Sequence, residues 1–268
     1  MFRLLKLPVI IIAAIVVTSL SIDAVDTLSG SGDTLLAELI ATRGDSSRCP
    51  SGMSEVKDAS GSFCIDMYER SVGAECPAPS PASLDDTARN LSSQSCTSAS
   101  AQDALPWVNV AFHQAKELCA KAGGRLPSHD EWYRAALGTN PNSCNINSSA
   151  MVVTGARSEC RAMSGAVDMV GNAWEWIDGG VENNTYNNRS LPTEGYVAGA
   201  DVSGVALETS SSPSEAFGRD YFWSDPQGSY VMMRGGFYGS GEDAGLYAVH
   251  ARVESAFSGN AISFRCVQ

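Results

Sequence analysis

The eight cysteines of this 268-residue chain constrain its fold more than any other feature. No two of them form a Cys-x-x-Cys pair, so the sequence gives little support to a zinc ribbon or a thioredoxin-like redox site. An even number of cysteines in an exported protein indicates disulfides. We therefore expect four disulfides, while the cysteine pattern alone leaves on the order of a hundred pairings open. The cysteines are Cys49, Cys64, Cys76, Cys96, Cys119, Cys144, Cys160 and Cys266.

The N-terminus has the pattern of an export signal. Arg3 and Lys6 supply a positively charged start, and an apolar run follows over residues 9–17. That run is shorter than the ~20 residues that a membrane-spanning helix needs, which favours a signal peptide over residues 1–24. An N-terminal membrane anchor is the alternative. In either case we expect the rest of the chain outside the cytoplasm, secreted or attached to the membrane only through this segment.

The charge balance excludes one class of partner. The chain carries a formal net charge of -12. Nucleic acid is therefore not expected as a ligand, because so acidic a surface cannot neutralise a row of phosphates. Hydrophobic residues make up 44% of the chain and charged residues 18%, which is an ordinary balance for a protein with a folded core.

Composition divides the chain into a tether and a folded domain. Residues 25–48 are rich in Ser, Gly, Asp and Thr, which predicts a flexible tether. The folded domain is expected over residues 49–268. Within it, residues 73–105 have the composition of a long loop closed by a disulfide. Residues 179–230 are rich in Gly, Ser, Asn and Asp and predict short strands at most.

Two helices are predicted in the middle of the chain. The first is capped by Asn109 and ends at Gly123 and Gly124. The second starts with a capping box, in which the Ser128 hydroxyl and the Glu131 carboxylate each satisfy a backbone N–H. Two helices followed by a long tract of loops and short strands indicate an α+β, loop-rich domain that depends on disulfides for stability.

Three segments carry a family resemblance. Residues 125–136 read RLPSHDEWYRAA and residues 168–176 read DMVGNAWEW. Near the end, Arg-Gly-Gly at 234–236 precedes a closing Ser-Phe-Arg-Cys at 263–266. In this order they resemble the R-L-P-T-x-x-E-W-x-x-A-A, D-M-x-G-N-x-W-E-W and R-G-G-S … G-F-R-C motifs of the formylglycine-generating enzyme (sulfatase-modifying factor) family. The resemblance implies that family's complex variant of the C-type-lectin-like fold, with little regular structure.

The resemblance also suggests how the cysteines pair. It implies a bridge between Cys119, in the first predicted helix, and Cys266, in the last strand. That leaves three local bridges, which are Cys49–Cys64, Cys76–Cys96 and Cys144–Cys160.

The chemistry of the family's enzymes is missing from the sequence. Formylglycine-generating enzymes hold copper with a cysteine pair that follows the Arg-Gly-Gly motif. Alignment on that motif places Ser240 and Gly245 at the two positions, and neither is a soft thiolate ligand for Cu(I). Non-haem iron relatives use an H-x-x-x-H-x-E cluster, whose spacing the histidines of this chain lack. These histidines are His113, His129 and His250. We therefore expect neither copper nor iron, and an enzyme is disfavoured.

One metal hypothesis follows from the resemblance. In the family, the G-N-x-W-E-W turn supplies backbone carbonyls and one carboxylate to calcium, which accepts such mixed oxygen ligands. The implied ligands here are the Glu175 side chain and the carbonyls of Val170, Gly171 and Ala173. The alternative is that Glu175 satisfies backbone N–H groups in a tight turn.

Residues 238–260 form the predicted binding face. In relatives this segment lines a pocket or groove, and its aromatic and short polar side chains suit a protein or glycan ligand. An ordinary exposed loop with half-buried aromatic residues is the alternative. The candidate ligand-binding residues are Tyr238, Ser240, Glu242, Asp243, Tyr247, His250, Arg252, Glu254, Phe257 and Asn260.

Several functions stay open. The favoured one is an exported, non-catalytic domain that binds a protein or glycan outside the cytoplasm through residues 238–260. An oxidoreductase of the formylglycine-generating or non-haem-iron type with a relocated active site is one alternative. Another is a variable protein of a diversity-generating retroelement, which diversifies this segment at particular codons; Glu242 and Glu254 do not come from such codons. A purely structural envelope component would have no discrete pocket.

Overall fold

One mixed sheet, built from strands of the second half of the chain, organises the fold. The computed structural model describes residues 49–58 and 61–268. The expected signal peptide or anchor at 1–24 and the expected tether at 25–48 lie outside the described residues. These described residues form one compact unit.

Two small antiparallel sheets form the N-terminal part of this unit. Val267, next to the C-terminus, bridges to Ile65 in the first of them, so the two ends of the folded unit meet. The pairs are β1 (Met53–Asp58) with β2 (Gly61–Asp66), and β3 (Arg70–Val72) with β4 (Ser98–Ser100).

The described residues contain three α-helices, one more than expected. They are α1 (Leu84–Ser92), α2 (Phe112–Lys121) and α3 (His129–Ala136). None of the three has the length and hydrophobicity to cross a bilayer. The prediction of a loop throughout residues 73–105 is wrong at α1. The Ser83 hydroxyl accepts the Asp86 N–H (3.2 Å), and acidic residues occupy the first turn, where the helix dipole favours them.

The two predicted helix starts had different outcomes. The capping box of α3 is confirmed, because the Glu131 N–H donates to the Ser128 hydroxyl (3.2 Å) and the Ser128 N–H to the Glu131 carboxylate (2.8 Å). The predicted cap of α2 is wrong. Asn109 has φ of 55° and donates its side-chain amide to the carbonyl of Pro81. The helix begins at Phe112, with Ala111 at the cap position.

Nine strands form the main sheet; they are β5 (Trp174–Glu182), β6 (Thr185–Tyr186), β7 (Arg189–Ser190), β8 (Gly195–Ala200), β9 (Ala206–Ser210), β10 (Tyr221–Trp223), β11 (Ser229–Arg234), β12 (Val249–Val253) and β13 (Ile262–Phe264). Their order in the sheet is β7-β6-β5-β11-β12-β10-β8-β9, and β13 also pairs with β5. The pairs β10–β12 and β5–β13 are parallel, and the others are antiparallel. The prediction of short strands at most over residues 179–230 is confirmed, since the longest strand inside this segment, β8, has six residues. The nine-residue β5 begins before it.

Two large hydrophobic clusters pack the helices against the main sheet. Trp132 of α3 belongs to one cluster, and Leu118 of α2 and Trp176 of β5 belong to the other. Four disulfides indicate an oxidising, extracytoplasmic environment. The bridges are Cys49–Cys64, Cys76–Cys96, Cys119–Cys266 and Cys144–Cys160, which are the pairs that the family resemblance implies.

Candidate functional site

The three family motifs meet at one buried point. Trp132 donates its indole N–H to Glu175 Oε2 (2.7 Å), and Arg265 Nε lies 2.8 Å from the same oxygen. The guanidinium of Arg234 lies 4.7 Å from the centre of the Trp132 ring. All four side chains are buried. The motifs therefore build the centre of the fold and do not line an open cleft.

Protein donors saturate the Glu175 carboxylate, the side chain implied as a calcium ligand. Arg265 contacts both of its oxygens, and Trp132 donates to one of them. A guanidinium this close also repels a cation. Glu175 therefore does not fit as a calcium ligand in this arrangement, and its partners are side chains instead of the turn N–H groups of the alternative. The other implied ligands, the carbonyls of Val170, Gly171 and Ala173, would have to bind calcium without a carboxylate.

Two neighbouring carboxylates are only partly satisfied. Asn172 donates its side-chain amide to Glu69 Oε2 (2.7 Å), and the Gly155 N–H donates to Asp168 Oδ2 (2.7 Å). Within the described ranges, the other oxygen of each carboxylate is buried and has no hydrogen-bond partner. Burial raises the pKa of Glu69 well above its ordinary value and that of Asp168 to about 6. The raised pKa values favour the protonated, uncharged form of both carboxyl groups.

The positions of the family's catalytic cysteines do not fit a thiol pair. The Ser240 hydroxyl accepts the Phe237 N–H (3.0 Å) inside its own loop. At Gly245, a Cβ atom would lie 2.0 Å from Asp220 Oδ1, so any side chain would displace that carboxylate. All eight cysteines are joined in disulfides.

The histidines lie apart from one another. His113 is exposed on α2, and His129 is buried against Arg234. His250 lies on β12. Across residues 49–58 and 61–268, no three His, Cys, Asp or Glu side chains are grouped in a way that could hold a metal ion.

The ten predicted binding residues occupy separate places. The first four lie in the loop after β11, where the Tyr238 carbonyl accepts the Ser148 N–H (2.7 Å). Tyr247 packs against Tyr133 of α3, with ring centroids 5.7 Å apart and hydroxyls 3.2 Å apart. Asn260 is exposed beyond β12. The remaining four come together; they are His250, Arg252, Glu254 and Phe257.

These four residues line one groove of about 480 Å³, which we call the β12 groove. Phe257 is 52% exposed there and presents an apolar surface to the groove. Burial, together with the smaller effect of the nearby Arg252, lowers the pKa of His250 to about 4, so the imidazole is neutral at physiological pH. The other lining residues are Met233, Val253 and Ala256.

A row of rings leads away from the β12 groove across β12, β10 and β8. His250 stacks on Trp223 at 5.5 Å between ring centroids, Trp223 contacts Tyr221 at 4.8 Å, and Tyr221 contacts Tyr196 at 5.0 Å. All four residues of this aromatic row are only partly buried. Three of them were not predicted from the sequence, although the side chains of the Tyr-Phe-Trp triplet at 221–223 point alternately to an exposed and a buried face, as in a half-buried strand.

A second cavity, of about 430 Å³, lies at the far end of the aromatic row. Glu194 connects this β8 cavity to the β12 groove, because its carboxylate forms an ion pair with Arg252 and accepts the Tyr221 hydroxyl (3.3 Å). Glu194 was not predicted from the sequence, since its partners Tyr221 and Arg252 lie on strands far away in the chain. The lining residues are Thr193, Glu194, Gly195, Tyr196, Thr209, Ser210, Ser211 and Tyr221.

Comparison with solved structures finds distant similarities. The Major Tropism Determinant P3c variant is 19% identical, with a TM-score of 0.48 over 82% of this chain and 52% of that one. PvdO from Pseudomonas aeruginosa is 13% identical, with a TM-score of 0.40 over 80% and 89%. Treponema denticola variable protein 1 is 12% identical, with a TM-score of 0.41 over 82% and 99%. The chain spans about half the length of the Major Tropism Determinant variants that it matches.

Comparison of the sequence with known families gives one match. No curated protein matches the chain. Residues 62–150, which run from β2 past α3, match the family described as "Sulfatase-modifying factor enzyme 1-like domain". The predicted resemblance is therefore confirmed over residues 62–150, where the chain is similar to the sulfatase-modifying factor domain.

Proposed function

We propose that this domain is an exported, non-catalytic ligand-binding module that uses the β12 groove as its binding site. It would present this groove on the C-type-lectin-like scaffold that the family resemblance implies. The ligand would be a protein or a glycan outside the cytoplasm. Calcium has no role in this proposal, because the groove residues are not those of the implied calcium turn.

The observation that carries the proposal is the convergence of four predicted residues on one open cavity. His250, Arg252, Glu254 and Phe257 combine a neutral ring, both signs of charge and an exposed apolar side chain. Binding sites for small ligands and peptides have this composition, with apolar walls and a few polar groups that fix orientation. Trp223 stacks on His250 and so helps to fix the position of one lining residue.

The experiment is a binding screen with the full chain on arrays of glycans and of purified extracellular proteins. Any ligand found is then tested against Phe257→Ala, which removes an exposed side chain and leaves the core intact. Met163→Ala is the matched control, because Met163 is 79% exposed and lies outside the groove. Binding that is lost in Phe257→Ala and retained in Met163→Ala supports the proposal. Binding that is equal in both variants contradicts it.

The variable-protein alternative makes a different prediction at the level of the gene. It requires a near-repeat of the coding segment for residues 238–260, differing only at template adenines. A genome without such a repeat would eliminate that alternative and leave the proposed function untouched.

A further inference from the structure

We propose that the β12 groove and the β8 cavity form one continuous site for a neutral oligosaccharide. This inference rests on the proposed function and names its ligand class. It adds a second half to the site, made of residues that lie outside the segment 238–260.

The two cavities are joined by shared contacts. Glu194 lines the β8 cavity, and its carboxylate pairs with Arg252, which lines the β12 groove. The aromatic row crosses the same region on three neighbouring strands, and each strand adds ~4.8 Å of width. A ligand that fills both cavities must therefore be elongated, as a chain of several sugar units is.

The aromatic row supplies surfaces that suit sugar rings. The C–H faces of a pyranose pack on the faces and edges of aromatic rings by dispersion and weak C–H contacts. Tyr196, Tyr221 and Trp223 are held by ring contacts with one another and with His250, so their positions are fixed before a ligand arrives. Rings fixed in this way lose little conformational entropy on binding.

The polar groups of the β8 cavity favour a ligand rich in hydroxyls. Apart from two tyrosines and a glycine, its lining consists of threonines, serines and Glu194, and it contains no large aliphatic side chain. A surface for an aliphatic ligand is therefore missing at this end. Hydroxyl and carboxylate oxygens at a half-buried surface instead match the donors and acceptors of a sugar.

The charges disfavour an anionic ligand. Glu194 neutralises Arg252, and Glu254 adds a negative charge beside them. The chain as a whole carries a net charge of -12. A sulfated or uronic-acid-containing glycan would meet repulsion here, whereas an uncharged one would not.

The test is titration of the full chain with neutral hexasaccharides of glucose, mannose and N-acetylglucosamine. Binding is measured by tryptophan fluorescence and by calorimetry. We expect at least one of these probes to bind, and its monosaccharide to bind at least ~10-fold more weakly. Two variants should each weaken binding of the hexasaccharide several-fold. They are Thr209→Val, an isosteric change in the β8 cavity, and Phe257→Ala, in the β12 groove. Met163→Ala should have no effect.

The outcomes separate this inference from the proposed function. Suppose that an arrayed protein binds to the wild type and not to Phe257→Ala, while no hexasaccharide binds. In that case the glycan class is wrong and the proposed function stands. If a heparin hexasaccharide binds more tightly than every neutral probe, the neutral class is wrong. If Thr209→Val and a second β8 variant, Tyr196→Ala, both bind the hexasaccharide like wild type, the continuous site is wrong. If neither arrayed proteins nor sugars bind, both proposals fail.

Discussion

Arg265 and Glu175 form an ion pair that is fully buried, with side chains 0% and 1% exposed. The two residues lie 90 positions apart in the chain, and Trp132 comes from a third segment to donate to the same carboxylate. The motifs that carry the family resemblance are therefore three parts of one buried contact. Their shared pattern reflects the demands of folding and does not identify a reaction.

Removal of the Glu175 charge should destabilise the domain strongly. Glu175→Gln keeps an acceptor for Trp132 but removes the charged partner to which the buried Arg265 guanidinium is hydrogen-bonded. Breaking one partner of a buried pair in this way costs ~3–5 kcal/mol. Urea-induced unfolding of the variant and of the wild type would measure the difference in the free energy of unfolding.

An exposed ion pair provides the control for this measurement. Lys116 and Asp178 are 2.9 Å apart, and their side chains are 45% and 41% exposed. Asp178→Asn should change the free energy of unfolding by less than ~1 kcal/mol, because water and salt screen such pairs. Similar losses in both variants would show that burial does not set the strength of the Arg265–Glu175 contact.

Local features of the fold were predictable, and long-range ones were not. The capping box of Ser128 and Glu131 was predicted correctly because both partners lie within one helical turn. The cap of α2 was assigned to Asn109 wrongly, because that residue is held by Pro81 from a distant loop. Nothing in the local sequence reports such a contact.

The candidate site shows the same limit. His250 and Phe257 were predicted as binding residues because they lie in a segment that family resemblance points to. Trp223 and Glu194 were missed because parallel pairing of β10 with β12, and the ion pair to Arg252, bring them to the groove from other parts of the chain. Register between distant strands depends on the packing of the whole sheet, which one sequence does not specify.

The long-range disulfide should stabilise the domain more than a local one. Cys119 and Cys266 are 147 positions apart, whereas Cys49 and Cys64 are 15 apart. In the chain-entropy account, closing the longer loop is worth ~5 kcal/mol and the shorter one ~3 kcal/mol. The double variants Cys119→Ala/Cys266→Ala and Cys49→Ala/Cys64→Ala would be compared by thermal unfolding. Equal melting temperatures of the wild type with and without reductant would contradict a stabilising role for the bridges.

Calcium should leave the melting temperature unchanged. Arg265 and Trp132 already occupy the Glu175 carboxylate, so the side-chain ligand implied by the resemblance is not available. A bound ion present at 100 times its dissociation constant would stabilise the domain by ~2.7 kcal/mol, which a thermal scan detects. Scans in EDTA and in millimolar calcium would measure this. A rise in melting temperature that disappears in Glu175→Gln would restore the calcium site.

Asp220 should make the domain less stable as the pH rises from acid to neutral. Its side chain is buried, and its Oδ2 accepts the Tyr247 N–H (2.5 Å). Among the described residues, Oδ1 has no hydrogen-bond partner. Burial raises the pKa of this carboxyl to about 7. In the unfolded chain the same group has a pKa of ~3.9, so between these two values the unfolded state loses its proton while the folded state keeps it.

The sign of the effect follows from that difference. The protein binds more protons folded than unfolded in this window, so this group lowers the free energy of unfolding by up to ~1.4 kcal/mol for each pH unit gained. Asp220→Asn keeps an acceptor for the Tyr247 N–H and cannot ionise. The stability of the variant relative to the wild type should therefore increase from pH 4 to pH 7, and urea unfolding at several pH values would measure it. Parallel pH profiles for the two proteins would show that Asp220 ionises as readily in the folded state as in the unfolded chain.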